Sequence, residues 1–314
     1  MNSMTFSKFH ATGNDFLVRL DMDGARDISA AEAAWLCDRH MGIGADGLIT
    51  VGKASGDYGA DCSFRLQNAD GRDAEMSGNG MRALAALAAG RGAMGNEATL
   101  VVETRIGIRT VTLQRASGGL VVAANVDMGA AQFEPSDVPV AVDDPCGISA
   151  TIHGVRYSGD AVGMGNPHWV VFVDDVAAAR VTQHGRWLET DERFPNSTNV
   201  EFVRIIDRNH IEMRVWERGV GETMSCGTGA CAAASVAHRR GLVDTNVTVQ
   251  VPGGELAVEI GDTVLLGGPV VHVFDVTVDL NNTRNGPRDG PRDYNLTTSS
   301  RLGAEHEQHE QEMQ

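Results

Sequence analysis

Apolar positions along the chain mostly alternate with polar ones in short runs, and few recur at helical spacing. Residues 99–103, 120–126, 211–216 and 247–251 are rich in Val and Ile and bounded by Gly, Asp or Asn, which predicts strands closed by turns. Apolar runs at 16–20 and 169–173 predict two more. Two segments break this rhythm. Residues 81–89 and 230–238 are made of small, Ala-rich apolar positions, each opened by a glycine-rich turn and followed by a glycine, Gly90 or Gly241. That is the signature of a helix with a defined start and stop.

The landmarks come in pairs. Gly13-Asn14 and Gly165-Asn166 each lead into a strand-like run, 152 residues apart. Ser77-Gly78-Asn79-Gly80 and Cys226-Gly227-Thr228-Gly229 each open one of the two helical runs, 149 residues apart. Two near-equal offsets from independent motifs point to a duplicated chain. Many short strands around two helices favour an α+β fold of two pseudo-symmetric lobes over a doubly wound sheet. The lobes are expected over residues 1–130 and 131–278, with the last strand able to return to the first lobe. Residues 281–314 hold almost no core formers and read as a disordered tail.

Composition narrows the function. The 314 residues carry a formal charge of −16, which repels nucleic-acid backbones and anionic membrane surfaces and leaves a small molecule as the expected partner. No run of 18 apolar residues suggests a membrane helix, and the first ten residues lack the pattern of an export signal. Five cysteines at irregular spacing, without CxxC or a Cys/His cluster, argue against disulfides and a metal site and for a reduced, cytoplasmic protein.

The chemistry concentrates at the two glycine-rich helix starts. The first N–H groups of a helix have no intrahelical partners and carry partial positive charge, so they receive a carboxylate or phosphate. A cysteine placed there, as Cys226 is, has its thiolate favoured, with documented values of roughly 3.5–7.5. It is a candidate acid/base or nucleophile, whereas Cys231 reads as a buried structural thiol. Ser77 opens the equivalent helix of the other half. Two halves related by two-fold symmetry would set one group on each face of a central carbon, which inversion of a stereocentre requires. Glu217-Arg218 offers one partner for an ammonium and one for a carboxylate. Asn14, Asn68, Asn166 and Asn199 stand in turn-like contexts where asparagine commonly serves the backbone.

Together these residues resemble the diaminopimelate epimerases. The resemblance rests on residues 6–16 (FSKFHATGNDF), Gly42-Ile43-Gly44-Ala45-Asp46-Gly47, Asn68-Ala69-Asp70-Gly71 and Gly165-Asn166-Pro167-His168 in the first part of the chain. It continues through Phe194-Pro195, Asn199-Val200, residues 217–223 (ERGVGET) and Cys226-Gly227-Thr228-Gly229, and covers residues 4 to about 275 in order. It implies two lobes, each a strand barrel around a central helix, with the site in the cleft between them. It implies conversion of LL-2,6-diaminopimelate to the meso isomer in lysine and peptidoglycan-precursor synthesis, with no pyridoxal phosphate, no other cofactor and no metal. By position, Cys226 and Ser77 are the acid/base pair, tuned by His168 and Glu217. Gly78, Asn79, Gly227 and Thr228 bind the reacting carboxylate. Asn68, Asn166, Asn199 and Arg218 take the distal carboxylate, Glu217 takes the distal ammonium, and Asn14 lines the pocket. A homodimer is left open.

The chain departs from the family at two positions. Ser77 stands where the family has cysteine, and a hydroxyl is a far weaker acid than a thiol, poorly matched to proton transfer near neutrality. Gly47 stands where many relatives carry a side-chain amide. The alternatives are a one-cysteine racemase or isomerase acting on another amino acid, and a catalytically weak paralogue that only binds one.

Overall fold

A computed structural model describes residues 3–57, 59–74, 76–91, 98–279 and 297–299. Within them, strands join into one continuous hydrogen-bonded network. Four helices accompany it: α1 (Ala30–Cys37), α2 (Gly78–Gly90), α3 (Val181–Glu189) and α4 (Gly227–Arg239).

The duplication is visible strand by strand. In the first half Ser3–Ala11, Asn14–Asp21, Gly47–Gly52, Cys62–Asn68, Thr99–Thr104, Gly107–Arg115 and Val121–Asp127 pair in succession. In the second, Val155–Gly163, Pro167–Phe172, Asn199–Ile205, His210–Glu217, Asn246–Val251, Gly254–Ile260 and Val264–Pro269 do the same. The second and fourth steps are parallel in both halves and the others antiparallel. A parallel step needs a long crossover, and each of the four contains one helix: α1 and α2 in the first half, α3 and α4 in the second. The halves are stitched together where Val121–Asp127 pairs with Val264–Pro269. They meet again where Val271–Asp279 crosses back to lie against Ser3–Ala11.

The fold is therefore α+β, with two pseudo-symmetric lobes. Each lobe wraps its strands around one central helix, α2 or α4. Both helices are enclosed on all sides, from Gly78 to Ala88 and from Gly227 to Ala237. Their Ala- and Gly-rich composition is what lets strands close around them, because a helix buried all round needs small or apolar side chains on every face. Arg82 is the charged exception in α2. It is fully enclosed, and burial pulls its guanidinium down to about 10, which still leaves it charged at neutrality.

Of the expected tail over 281–314, a short strand at Thr297–Ser299 is described, paired with Val271–Asp279. The remainder lies outside the described residues. Among the described residues no helix is long and apolar enough to cross a membrane.

Candidate active site

The starts of α2 and α4 meet at the junction of the lobes. A Cβ added at Gly78 would come within 2.5 Å of the Leu266 side chain, and one at Gly227 within 2.8 Å of the same leucine. Gly227 also abuts Asn79, whose amide oxygen would lie 3.4 Å from such a Cβ. One leucine thus packs against both helix starts, and no side chain larger than hydrogen fits at either glycine without displacement.

Ser77 and Cys226 cap these helices in near-identical geometry. Their backbones are extended, at φ −141°, ψ 119° and φ −123°, ψ 114°. Ser77 Oγ accepts from the Gly80 N–H at 3.1 Å, and Cys226 Sγ from the Gly229 N–H at 3.4 Å. With the third N–H of each helix capped this way, the N–H groups of Gly78, Asn79, Gly227 and Thr228 have no intrahelical acceptor. Four such donors at two adjoining helix starts are the kind of group that can receive an anion.

A cavity of about 480 Å³ opens at this point. Ser77, Cys226, Gly78, Asn79, Gly227 and Thr228 line it, as do Asn14, Asn68, Asn166, Asn199, Glu217 and Arg218. The expected site residues are thus brought together, with one exception. His168 is fully enclosed behind the wall, its Nδ1 2.7 Å from Glu201 and its Nε2 2.8 Å from Asn166 Oδ1. It reaches the cavity only through Asn166.

The asparagines are less free than expected. Asn14 donates to Asp46 Oδ2 at 2.7 Å and accepts from Asn79 Nδ2 at 3.1 Å. Asn79 in turn accepts from Arg82 at 2.7 Å. A line of aligned amides therefore runs from the Asp46 carboxylate to the buried Arg82 guanidinium and fixes both side chains. Asn199 donates to the Pro167 carbonyl and accepts from the Arg218 backbone N–H, both at 2.9 Å, so it positions Arg218 as much as it faces the cavity. Asn68 is held by its backbone in a turn closed by the Gly71 N–H and Arg72 carbonyl. Gly47 cannot be mimicked by a larger residue in place: its Cβ would lie 2.9 Å from the Gln67 carbonyl oxygen.

The electrostatics correct one expectation. Cys226 was expected to favour its thiolate, but burial pushes its thiol well above the ordinary range, and the Glu217 and Glu201 charges push it further. A helix terminus is worth up to ~2 kcal/mol to an adjacent charge. Desolvation of an enclosed anion costs several kcal/mol, so burial wins. Burial also raises the Glu217 carboxyl, to about 7, although the Thr223 hydroxyl donates to it. In the ligand-free protein, alkylation of Cys226 by iodoacetamide should therefore be slow at neutral pH. Its rate should still be climbing at pH ~9, above the ~8.5 of a free thiol. Peptide mapping separates it from the exposed Cys146; a plateau near pH 7 at Cys226 would contradict this account.

Sequence reasoning missed Glu201, which is wholly buried. Its one visible signal is a carboxylate two positions after Asn199, on the same face of a strand and flanked by Val200 and Phe202. Asp46, Asp70, Arg72 and Asp73 add charge to the cavity wall. Among the described residues no three His, Cys, Asp or Glu side chains converge closely enough to hold a metal ion.

The arrangement suits a small amino acid with a second charged end: carboxylate donors between two proton-bearing caps, and a Glu/Arg pair on the wall. Comparison with known proteins agrees with it. Residues 6–134 and 160–273 match the family described as diaminopimelate epimerase. The diaminopimelate epimerase of Cupriavidus metallidurans is 40% identical over 289 residues, covering 88% of this chain and 98% of that protein. That of Xanthomonas euvesicatoria pv. vesicatoria is 41% identical over 277 residues, covering 87% and 95%. Among solved structures, a hydroxyproline epimerase from Agrobacterium vitis shares the fold at TM-score 0.66 and 15% identity, over 88% of this chain and 92% of that one. A predicted epimerase from Pseudomonas aeruginosa does so at TM-score 0.62 and 19% identity, over 87% and 98%.

Proposed function

The chain belongs to the diaminopimelate epimerase family, and from that premise we propose that it interconverts LL- and meso-2,6-diaminopimelate by proton transfer at the cavity between its lobes. It is an isomerase of lysine and amino-acid biosynthesis. The observation that carries the proposal is the matched pair of caps, Ser77 and Cys226, opening on one cavity from two symmetry-related helices. The reacting carboxylate sits against the N–H groups of Gly78, Asn79, Gly227 and Thr228, which also take up the negative charge that develops when the α-proton leaves. Arg218, Asn68, Asn166 and Asn199 receive the distal carboxylate, and Glu217 the distal ammonium.

Because the Glu217 charge adds to burial in holding Cys226 in its thiol form, ligand binding and thiol ionisation are coupled. An ammonium beside Glu217 offsets the carboxylate charge that disfavours the thiolate. Cys226 then removes the α-proton of the isomer whose hydrogen faces it, and the opposite face is reprotonated from the Ser77 side.

A specific observation favours a second reading. With a hydroxyl at position 77, only one cap has a thiol, which fits one-sided proton chemistry on another amino acid. One assay separates the two readings: the purified protein with LL-diaminopimelate in deuterium oxide, following α-proton exchange and meso formation together. Meso formation supports the proposal. Exchange with no meso product favours the one-sided reaction, and neither signal leaves a binding protein.

The same assay reads Glu217. A carboxyl near 7 is ionised above that pH and neutral below it. KM should therefore be flat above about pH 7 and rise toward tenfold per unit of pH below it. A KM that is level from pH 5 to 8 would remove Glu217 as the ammonium partner.

A further inference from the structure

Glu201 and His168 form a buried pair that no step above uses, yet the pair touches the wall of the cavity. Glu201 is fully enclosed, wedged between the His168 ring and the first turn of α4. Its Oε1 is 2.7 Å from His168 Nδ1, and it would lie 2.8 Å from a Cβ at Gly229. On the far side of the ring, Nε2 is 2.8 Å from Asn166 Oδ1. An amide oxygen can only accept, so Nε2 carries a proton and donates. With its oxygen on the ring, Asn166, which lines the cavity, has its NH2 group and two donors left for a ligand.

The proton count then constrains the pair. A neutral imidazole with its proton on Nε2 has a lone pair on Nδ1, which would repel a carboxylate. The 2.7 Å contact is favourable only if one further proton lies between Nδ1 and Oε1, on either atom. Burial supports this arrangement, since it raises the Glu201 carboxyl and disfavours a bare carboxylate there. The opposite arrangement, Nδ1–H to a carboxylate with a bare Nε2, would turn Asn166 over and present its carbonyl to the cavity.

We propose that Glu201 is a positioning residue: by sharing a proton with His168 it holds Nε2–H on Asn166 and so turns the Asn166 amide donors toward a ligand carboxylate. Selectivity for an anionic end group is then set two residues deep, by a group that never touches ligand. The inference rests on the reading of Asn166 as part of the distal carboxylate site, so its test includes a measurement that needs no turnover.

The experiment compares the full-length wild type with Glu201→Gln and Glu201→Leu. Nitrogen-15 spectra of the histidine rings, with His168 assigned by His168→Gln, should show Nε2 protonated in the wild type without any ligand. Glutamine can donate to Nδ1 as the protonated acid does, so Glu201→Gln should keep that state and keep KM for LL-diaminopimelate within about threefold. Leucine leaves Nδ1 without a partner, and Asn166 then turns its carbonyl inward part of the time. KM should rise roughly 5- to 150-fold, the range for a buried polar group of the wrong sense, with kcat changed much less. A wild-type ring protonated on Nδ1 alone overturns the proposal whether or not the protein turns over diaminopimelate. So does a Glu201→Gln variant as impaired as Glu201→Leu, or a Glu201→Leu variant with unchanged KM. If Glu201→Leu does not fold, the wild-type spectrum and the Glu201→Gln KM still decide it.

Discussion

Replacing Cys226 with alanine is expected to abolish both α-proton exchange and inversion, the largest loss any single substitution in this chain should produce. Among the described residues Cys226 is the one thiol that lines the cavity, and it stands at the start of a helix whose next two residues, Gly227 and Thr228, line the cavity as well. General acid/base catalysis contributes about 10²–10⁴-fold, and Cys226 is the titratable side chain that forms that cap. The fold should tolerate the change. Sulfur is a weak acceptor for the Gly229 N–H, and losing an N-cap costs about 0.5–2 kcal/mol. Cys226→Ser is the control. It keeps a capping oxygen in the geometry Ser77 already shows, so it should restore stability without restoring exchange. Initial rates of exchange in deuterium oxide, read beside a thermal melt of each protein, make the comparison. Wild-type exchange in Cys226→Ala would remove the thiol from the mechanism.

The thiol also marks the boundary of what the sequence could tell. A helix start and its dipole are local, and the motif Cys226-Gly227-Thr228-Gly229 announces them. The burial that pushes the thiol up, and the Glu217 and Glu201 charges that add to it, depend on how the strands pack around the helix start. The expectation was sound about position and wrong about charge, because position is local and desolvation is not. His168 shows the same split. Its place beside Asn166 follows from the motif, but only the packing of two parallel strands puts Glu201 behind it.

The architecture was legible for a different reason. Duplicated motifs at near-equal offsets survive as sequence, and the two central helices are long, Ala-rich and bounded by glycine. The crossover helices α1 and α3 were not seen. α1 has eight residues, too few for a firm periodicity, although Ser29 and Glu32 form a capping box. α3 is preceded by Arg180, which makes no side-chain cap, and carries Gly185 in its middle, which reads as a helix breaker. The glycine is there for contact: a Cβ at Gly185 would lie 2.4 Å from the Trp216 ring. A tertiary constraint overrides propensity, and nothing near residue 185 in the sequence reveals it.

Ser77→Cys is expected to leave exchange at the Cys226 face intact and to speed inversion, by up to about 10²–10⁴-fold if the serine is a poor donor. The reasoning rests on the match between the two caps. Ser77 holds the same backbone angles and the same i+3 contact as Cys226, so a thiol placed there would sit where the second thiol of a symmetric pair belongs. Serine is the better N-cap, so the substitution should cost stability, about 0.5–2 kcal/mol at most. Activity and stability should therefore move in opposite directions, which a change that merely repaired the fold would not do. Exchange and inversion report different steps. Exchange needs only removal of the α-proton by Cys226 and its return from the same side, whereas inversion needs a proton from the face of Ser77. A wild type that exchanges quickly but inverts slowly, together with a Ser77→Cys variant in which the two rates converge, would establish the serine as the limiting donor. Equal inversion rates in the two proteins would mean that the hydroxyl, or a group acting through it, already suffices. In that case position 77 contributes chiefly as the cap of α2, and the asymmetry between the two halves lies elsewhere in the site.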